Sequence, residues 1–195
     1  AGPLGKPSVI DGNKKVCIIG GGVGCAIAYP TAKAFHEAGA DVTTIVGFRN
    51  KDLVILEEEF KKVSDAYYLM SDDGSVGEKG LVTNKLEDLI TGGEKFDEVV
   101  AIGPIVMMKF VSLTTKKYNI PTTVSMNPVM IDGTGMCGGC RLKVGDEIKF
   151  ACVDGPDFDG HLVDFDQAMA RNTAYKSFEA HKRDEACHLL NKEVE

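Results

Sequence analysis

The stretch Lys15-Val16-Cys17-Ile18-Ile19-Gly20-Gly21-Gly22-Val23-Gly24 decides the fold. Its first half is a short apolar run, the pattern of a strand buried on both faces. Glycines follow at once. A helix is then predicted over residues 29–38, with Pro30 in its first turn and Gly39 as a left-handed stop. In such a turn Gly20, Gly21, Gly22, Val23 and Gly24 let backbone approach a pyrophosphate, and the helix start offers oriented N–H groups. No Gly-Lys-Ser/Thr follows, so this is not a P-loop. Counting G-x-G-x-x-G from Gly20 puts Cys25 at the third glycine, and Arg49 stands where a ribose-binding acid is expected. A tight turn without ligand stays open as the alternative.

Working outward, the pattern repeats. Val42-Thr43-Thr44-Ile45-Val46, Ala66-Tyr67-Tyr68-Leu69-Met70, Glu98-Val99-Val100-Ala101-Ile102 and Thr122-Thr123-Val124-Ser125-Met126 read as four further strands. Helices are predicted over 52–62, 81–90 and about 103–118 between them. Five strands alternating with helices imply an α/β fold, a doubly wound five-stranded parallel sheet covered on both faces. Ligands bind such sheets at the carboxyl ends of the strands, where the Gly20, Gly47, Asp72 and Gly103 loops would gather. After Met126 glycine becomes dense. Residues 141–144 and 147–150 read as a hairpin around Gly145-Asp146, and a polar helix with a weak stripe of Met169, Phe178 and Leu189 is predicted over 166–192.

The 195 residues are 44% hydrophobic, enough for a packed core. A formal charge of −7, from 29 acids against 22 bases, argues against a nucleic-acid binder. Residues 126–170 hold eight acids and three bases, which is −5 of that −7. No apolar run reaches the ~18 residues of a membrane span; the longest uncharged stretch, Val16 to Ala32, is broken by four glycines and a proline. With no signal peptide in view, the expected compartment is the cytoplasm.

Six cysteines in such a chain are not expected to be disulfide staples. Cys17, Cys25 and Cys187 stand apart, whereas Cys137, Cys140 and Cys152 crowd together. The series Asp132-x4-Cys137-x2-Cys140-x11-Cys152 has the arithmetic of the plant-type [2Fe–2S] ligands C-x4-C-x2-C…C, with Asp132 in the first slot. Thiolates are soft anionic ligands, and a carboxylate can stand in as a harder one. Gly133, Gly135, Gly138 and Gly139 would let the loop wrap a cluster and donate N–H groups to its sulfurs. A structural zinc, and buried thiols without metal, remain alternatives.

In order along the chain stand Gly2-Pro3-Leu4-Gly5, Gly20 to Gly24, Gly47-Phe48-Arg49, Asp72-Asp73-Gly74-Ser75, Gly77-x-Lys79-Gly80, Gly103-Pro104-x-x-Met107-Met108 and Met136-Cys137-Gly138-Gly139-Cys140-Arg141, then Cys152-Val153-Asp154-Gly155-Pro156. Together they resemble the ferredoxin–NADP reductase superfamily, in its branch of iron–sulfur flavoprotein subunits. Within it the chain is similar to the C-terminal part of the dihydroorotate dehydrogenase electron-transfer subunits, and more so to the family of sulfide dehydrogenase / NADH-dependent reduced ferredoxin:NADP oxidoreductase small subunits. The resemblance implies residues 1–14 as a linker from a flavin-binding barrel, 15–126 as an NAD(P)-binding domain, 127–165 as a [2Fe–2S] domain and 166–195 as a C-terminal helix. It implies that Gly21 to Gly24 hold the pyrophosphate of NAD(H) or NADP(H), that Arg49 and Asp73 face the adenosine half, and that Gly103, Pro104 and Met107 flank the nicotinamide. It implies Asp132 with Cys137, Cys140 and Cys152 as cluster ligands, and FAD on a preceding domain.

The function so expected is that of an electron-transfer oxidoreductase subunit. Electrons would move between NAD(P)H, FAD and a [2Fe–2S] cluster, to or from a larger flavin/iron–sulfur oxidoreductase subunit. No side chain needs to act as acid or base, because the cofactors carry the chemistry. Read without the resemblance, the same residues suit a nucleotide-binding module with structural zinc, or a sensor using Cys137 and Cys140 as a disulfide.

Overall fold

In a computed structural model, residues 4–190 are described, and their side chains up to residue 183. β1 (Lys15–Gly21) is the central strand. α1 (Cys25–Glu37) leads to β2 (Asp41–Phe48), and α2 (Glu57–Lys62) to β3 (Ala66–Ser71). The two-residue β4 (Glu78–Lys79), α3 (Val82–Thr91) and β5 (Glu98–Ile102) follow, then α4 (Ile105–Lys117) and β6 (Thr122–Ser125). All five predicted strands are present. They lie in a seven-stranded sheet of order β4-β3-β2-β1-β5-β6-β9, parallel except at β9 (Asp157–Asp159), which runs antiparallel to β6. The two added edge strands carry no readable pattern: one is Glu-Lys, and the other has a single apolar residue, Phe158.

Both faces of the sheet are covered, which is why the strands read as unbroken apolar runs. Val16 and Ile18 of β1 pack with Ala28, Ala32 and Phe35 of α1 and Phe60 of α2. Cys17 and Ile19, on the opposite face, pack with Leu86 of α3 and Met108 and Val111 of α4. Strand order reverses at β1, whose neighbours are β2 on one side and β5 on the other. The helices after β1 and β5 therefore lie on opposite faces of the sheet, and the switch point between their starts is where such sheets form a ligand crevice.

Several helices differ from expectation. α1 starts at Cys25, directly after a 3₁₀ turn over Gly22–Gly24, so Pro30 lies inside the helix rather than in its first turn. The glycine turn itself winds into the helix and carries its start to the end of β1. Gly39 (φ 96°) does close it: Gly39 N–H reaches the His36 carbonyl at 3.0 Å, and Ala40 N–H the Phe35 carbonyl at 3.1 Å. The helix expected over 52–62 is a 3₁₀ turn at Lys51–Leu53 and the short α2, because Val54 is extended and Leu56 left-handed (φ 59°). The last helix divides into α6 (Phe165–Asn172) and α7 (Lys176–Leu190). Phe178 is 70% exposed while Met169 packs on the core, so the predicted stripe is not one face; the Leu189 side chain lies outside the described residues.

The remaining segment folds onto the sheet. β7 (Arg141–Val144) and β8 (Glu147–Phe150) form the predicted hairpin, followed by one helical turn, α5 (Ala151–Asp154). Cys140, Leu142, Ala151, Cys152, Val163, Phe165 and Ala168 belong to the same apolar core as Ile19, Ala101, Ile105 and Met108. No helix among the described residues is long and apolar enough to cross a membrane. Phe35, 1% exposed, pins α1 to the sheet. Phe35→Ala is expected to cost about 3–5 kcal/mol, read as a lower midpoint in urea unfolding; an unchanged midpoint would refute this packing.

Candidate nucleotide crevice and thiol loop

Two constellations gather the predicted residues. The first is the crevice at the switch point. A Cβ on Gly24 would lie 2.6 Å from the Ile102 carbonyl oxygen and 2.7 Å from Gly103 Cα, and one on Gly21 would lie 2.5 Å from Met107 Sδ. The turns after β1 and β5 are thus in backbone contact, and glycine is required there by packing. Gly22 differs: its φ is 53° and nothing stands within 4 Å of a Cβ placed on it. Gly22 and the exposed Val23 form the open lip. No side chain caps the starts of α1 or α4, and neither first turn holds an acid, so both helices present their positive ends to the crevice. Met107 is half-buried against Gly21, whereas Met108 is fully buried core; exposed Pro104 and buried Gly103 complete this wall.

Cys25 occupies the fingerprint's third glycine position without opening it. The close approach is taken by Gly20, whose Cβ would lie 2.8 Å from Cys25 Sγ. Burial pushes the Cys25 thiol up to about 12, so it is an inert packing residue. Further along the edge, Gly47 packs on Val82. The loops after β2 and β3 are bonded together, Asp72 N–H to the Phe48 carbonyl (3.1 Å) and Asp73 N–H to the Arg49 carbonyl (3.3 Å). Arg49, Asp72 and Asp73 are exposed on that rim. Bonds from the Ser75 hydroxyl and N–H hold the Asp73 carboxyl below its ordinary range.

The second constellation is the thiol loop. The structure brings its four predicted residues together as two pairs. Cys140 and Cys152, both buried, have Sγ atoms 3.2 Å apart. Asp132 folds over Cys137: one carboxylate oxygen accepts the Cys137 N–H at 2.7 Å, and the other accepts the Thr134 hydroxyl at 2.6 Å. The Cys137 thiol, then the Thr134 hydroxyl and the two backbone N–H groups, hold the Asp132 carboxyl well below the usual carboxylate range. Burial, then the Cys140 thiol, pushes the Cys152 thiol up, and the Asp132 charge adds to this. Among the described residues no three His, Cys, Asp or Glu side chains stand in a ready metal-holding group.

The donor set nonetheless fits an iron–sulfur cluster. Asp132, ionised, and the free thiols Cys137 and Cys140 lie on one loop, and the free thiol of Cys152 meets Cys140 from α5. Gly138 takes φ 65°, a left-handed turn that lets the chain double back between Cys137 and Cys140. The Gly139 N–H already points at Cys137 Sγ, 3.3 Å away. Beside the loop a cavity of about 140 Å³ is lined by Ile105, Met126, Ile131, Leu142, Arg171 and Tyr175.

Sequence reasoning did not find three of the contributors. Thr134 is signalled only by its Asp-x-Thr spacing, an Asx-type turn. Arg171 donates to the Gly139 carbonyl from α6, a contact of 32 positions that no local pattern shows. The segment read as a linker is bonded to the thiol loop's neighbour: Lys6 N–H reaches the Gly155 carbonyl at 2.7 Å, and Leu4 lies against Gly133. Gly2 and Pro3 lie outside the described residues.

Residues 127–164 match the iron–sulfur cluster binding domain of dihydroorotate dehydrogenase B. The chain is 50% identical over 178 residues to the Thermotoga maritima dihydroorotate dehydrogenase B (NAD(+)) electron transfer subunit homolog, covering 91% of this chain and 62% of that protein. It is 36% identical over 154 residues to the electron transfer subunit from Streptococcus pneumoniae, covering 77% and 60%. A chain from the structure of an NADH-dependent reduced ferredoxin-NADP oxidoreductase superposes with a TM-score of 0.88 at 46% identity, over 96% of this chain and 67% of that one. The chain therefore belongs to the ferredoxin–NADP reductase superfamily, in its branch of iron–sulfur flavoprotein electron-transfer subunits. It spans about three fifths of the length of the curated relatives it matches, 63% and 62% for two of them.

The glycine geometry makes an ordered prediction. Gly24→Ala drives a Cβ into backbone and is expected to cost about 1–3 kcal/mol. Gly22→Ala faces open space and bears only the left-handed penalty of about 1 kcal/mol. Urea unfolding of the two variants compares them, and a larger loss at Gly22 would contradict the packing described.

Proposed function

We propose that this chain binds a nicotinamide nucleotide in the switch-point crevice and a [2Fe–2S] cluster in the thiol loop, as part of an oxidoreductase that passes electrons between NAD(P)H, a flavin held outside residues 15–165, and a larger partner subunit. One observation carries this: Ile19 of β1, Ile105 and Met108 of α4, and the Cys140–Cys152 pair belong to a single apolar core. When bound, the cluster supplies a one-electron carrier to chemistry that begins with a two-electron hydride.

The residues divide the work. Residues 15–126 form the nucleotide unit, 127–165 the cluster unit and 166–195 the C-terminal helical segment. Gly21, Gly22, Val23 and Gly24, with the start of α1 that no side chain caps, receive the pyrophosphate. Gly20 gives α1 its close seat, and Gly47 does the same for α3. Arg49, Asp72 and Asp73 face the adenosine half. Gly103, Pro104 and Met107 form the nicotinamide wall. Cys137, Cys140 and Cys152 provide sulfur, and Asp132, ionised across the neutral range, provides the fourth anionic donor. The relatives named as electron transfer subunits support the partner reading. Free thiols in a metal-binding loop suit the reducing cytoplasm.

Protein purified anaerobically is expected to be red-brown, with about two irons per chain and visible absorption that bleaches with dithionite. A colourless protein holding one zinc would contradict the proposal. Asp132→Ala is expected to lower cluster content or shift the cluster's EPR spectrum and potential; iron content and EPR identical to the parent would remove Asp132 from the ligand set.

A further inference from the structure

Two guanidinium groups grip the backbone between the first two cysteines of the loop, and neither belongs to the donor set. Arg141 Nη1 donates to the Gly138 carbonyl at 3.2 Å, and Arg171 Nη2 donates to the Gly139 carbonyl at 3.2 Å. The first bond is local and exposed, and it duplicates one from the Arg141 backbone N–H at 3.4 Å. The second is half-buried and comes from α6.

α6 is a fixed platform. Asp164 caps it by accepting the Gln167 N–H at 2.9 Å, while Gln167 Oε1 accepts the Lys143 N–H of β7 at 3.1 Å. Asp164 N–H returns to the Lys143 carbonyl at 2.9 Å, and Asp166 pairs with Lys109 of α4 at 2.6 Å. Phe165 and Ala168 bury the other side of α6 in the core. Arg171 therefore reaches the loop from an element whose position is set by the sheet.

In a trans peptide the carbonyl and the N–H point opposite ways. With the Gly138 carbonyl on Arg141, the Gly139 N–H points to the other side, where it meets Cys137 Sγ at 3.3 Å. With the Gly139 carbonyl on Arg171, the N–H of Cys140 is likewise turned away from the arginine. We infer that Arg171 is a positioning residue for the cluster: by holding the Gly139 carbonyl from α6, it fixes the Gly139–Cys140 peptide with its N–H turned away from the guanidinium, steadies the adjoining peptide whose N–H meets Cys137 Sγ, and so raises the cluster's reduction potential. N–H···S bonds favour the more negative, reduced state. This rests on the cluster assignment proposed above.

The test compares Arg171→Met, which removes donor and charge, with Arg171→Lys, which keeps both. EPR-monitored redox titration of the anaerobic protein is expected to show the Met variant reduced about tenfold less at a given potential, a fall of about 59 mV for one electron. In cluster-free protein the Cys140 amide, in the peptide whose carbonyl Arg171 holds, is expected to exchange about tenfold faster in the Met variant. Arg171→Lys is expected to recover most of both effects. A Met variant with parental iron content, and with potential and exchange within twofold of the parent, overturns the inference. If the Met variant loads no iron, amide exchange of the cluster-free proteins decides: faster exchange supports the inference and unchanged exchange overturns it. A parent that binds no iron refutes the cluster assignment instead, and the inference falls with it.

Discussion

One apolar core holds Ile19 of β1, Ala101 of β5, Ile105 and Met108 at the start of α4, and Leu142, Ala151 and Cys152. The rest of the molecule depends on that continuity. Burying Met108 and Ile105 fixes α4, and α4 fixes the Gly103 turn against Gly21 and Gly24. One turn on from Ile105, Lys109 of the same helix pairs with Asp166 of α6. The glycine turns and the thiol segment therefore both pack on α4.

Charge is distributed to suit the two ends. The crevice is closed by helix starts free of acids, which favours an anionic pyrophosphate. The thiol segment is acidic overall, yet its immediate loop is braced by Arg141 and Arg171 on backbone carbonyls. Asp132 is held ionised by Thr134 and Cys137, so its anionic form is maintained by neighbours rather than by a buried countercharge.

The sheet was legible because parallel strands buried on both faces must read as apolar runs, and glycine must stand where β1 meets α1. The hairpin at Gly145-Asp146 was legible for a similar reason: only turn residues separate its strands. The edge strands at Glu78–Lys79 and Asp157–Asp159 were not, since their pairing comes from neighbours rather than from side-chain pattern. The start of α1 was misplaced because Pro30 is a strong start signal, and tertiary packing against Gly20 overrode it. In the thiol segment, spacing singled out Asp132, Cys137, Cys140 and Cys152 as candidate ligands, but not that they stand as two pairs. Arg171 was invisible because it reaches the loop from another element, through a backbone carbonyl that has no sequence identity.

The claim of one core is tested most directly by urea unfolding of the reduced, cluster-free protein, followed with two probes. Far-UV circular dichroism reports the sheet and its helices, and pulsed alkylation with peptide mass spectrometry reports the exposure of Cys140 and Cys152. The account predicts coincident midpoints, because these thiols leave the core only when the sheet does. Alkylation of both cysteines at urea concentrations where the dichroism is still native would contradict it.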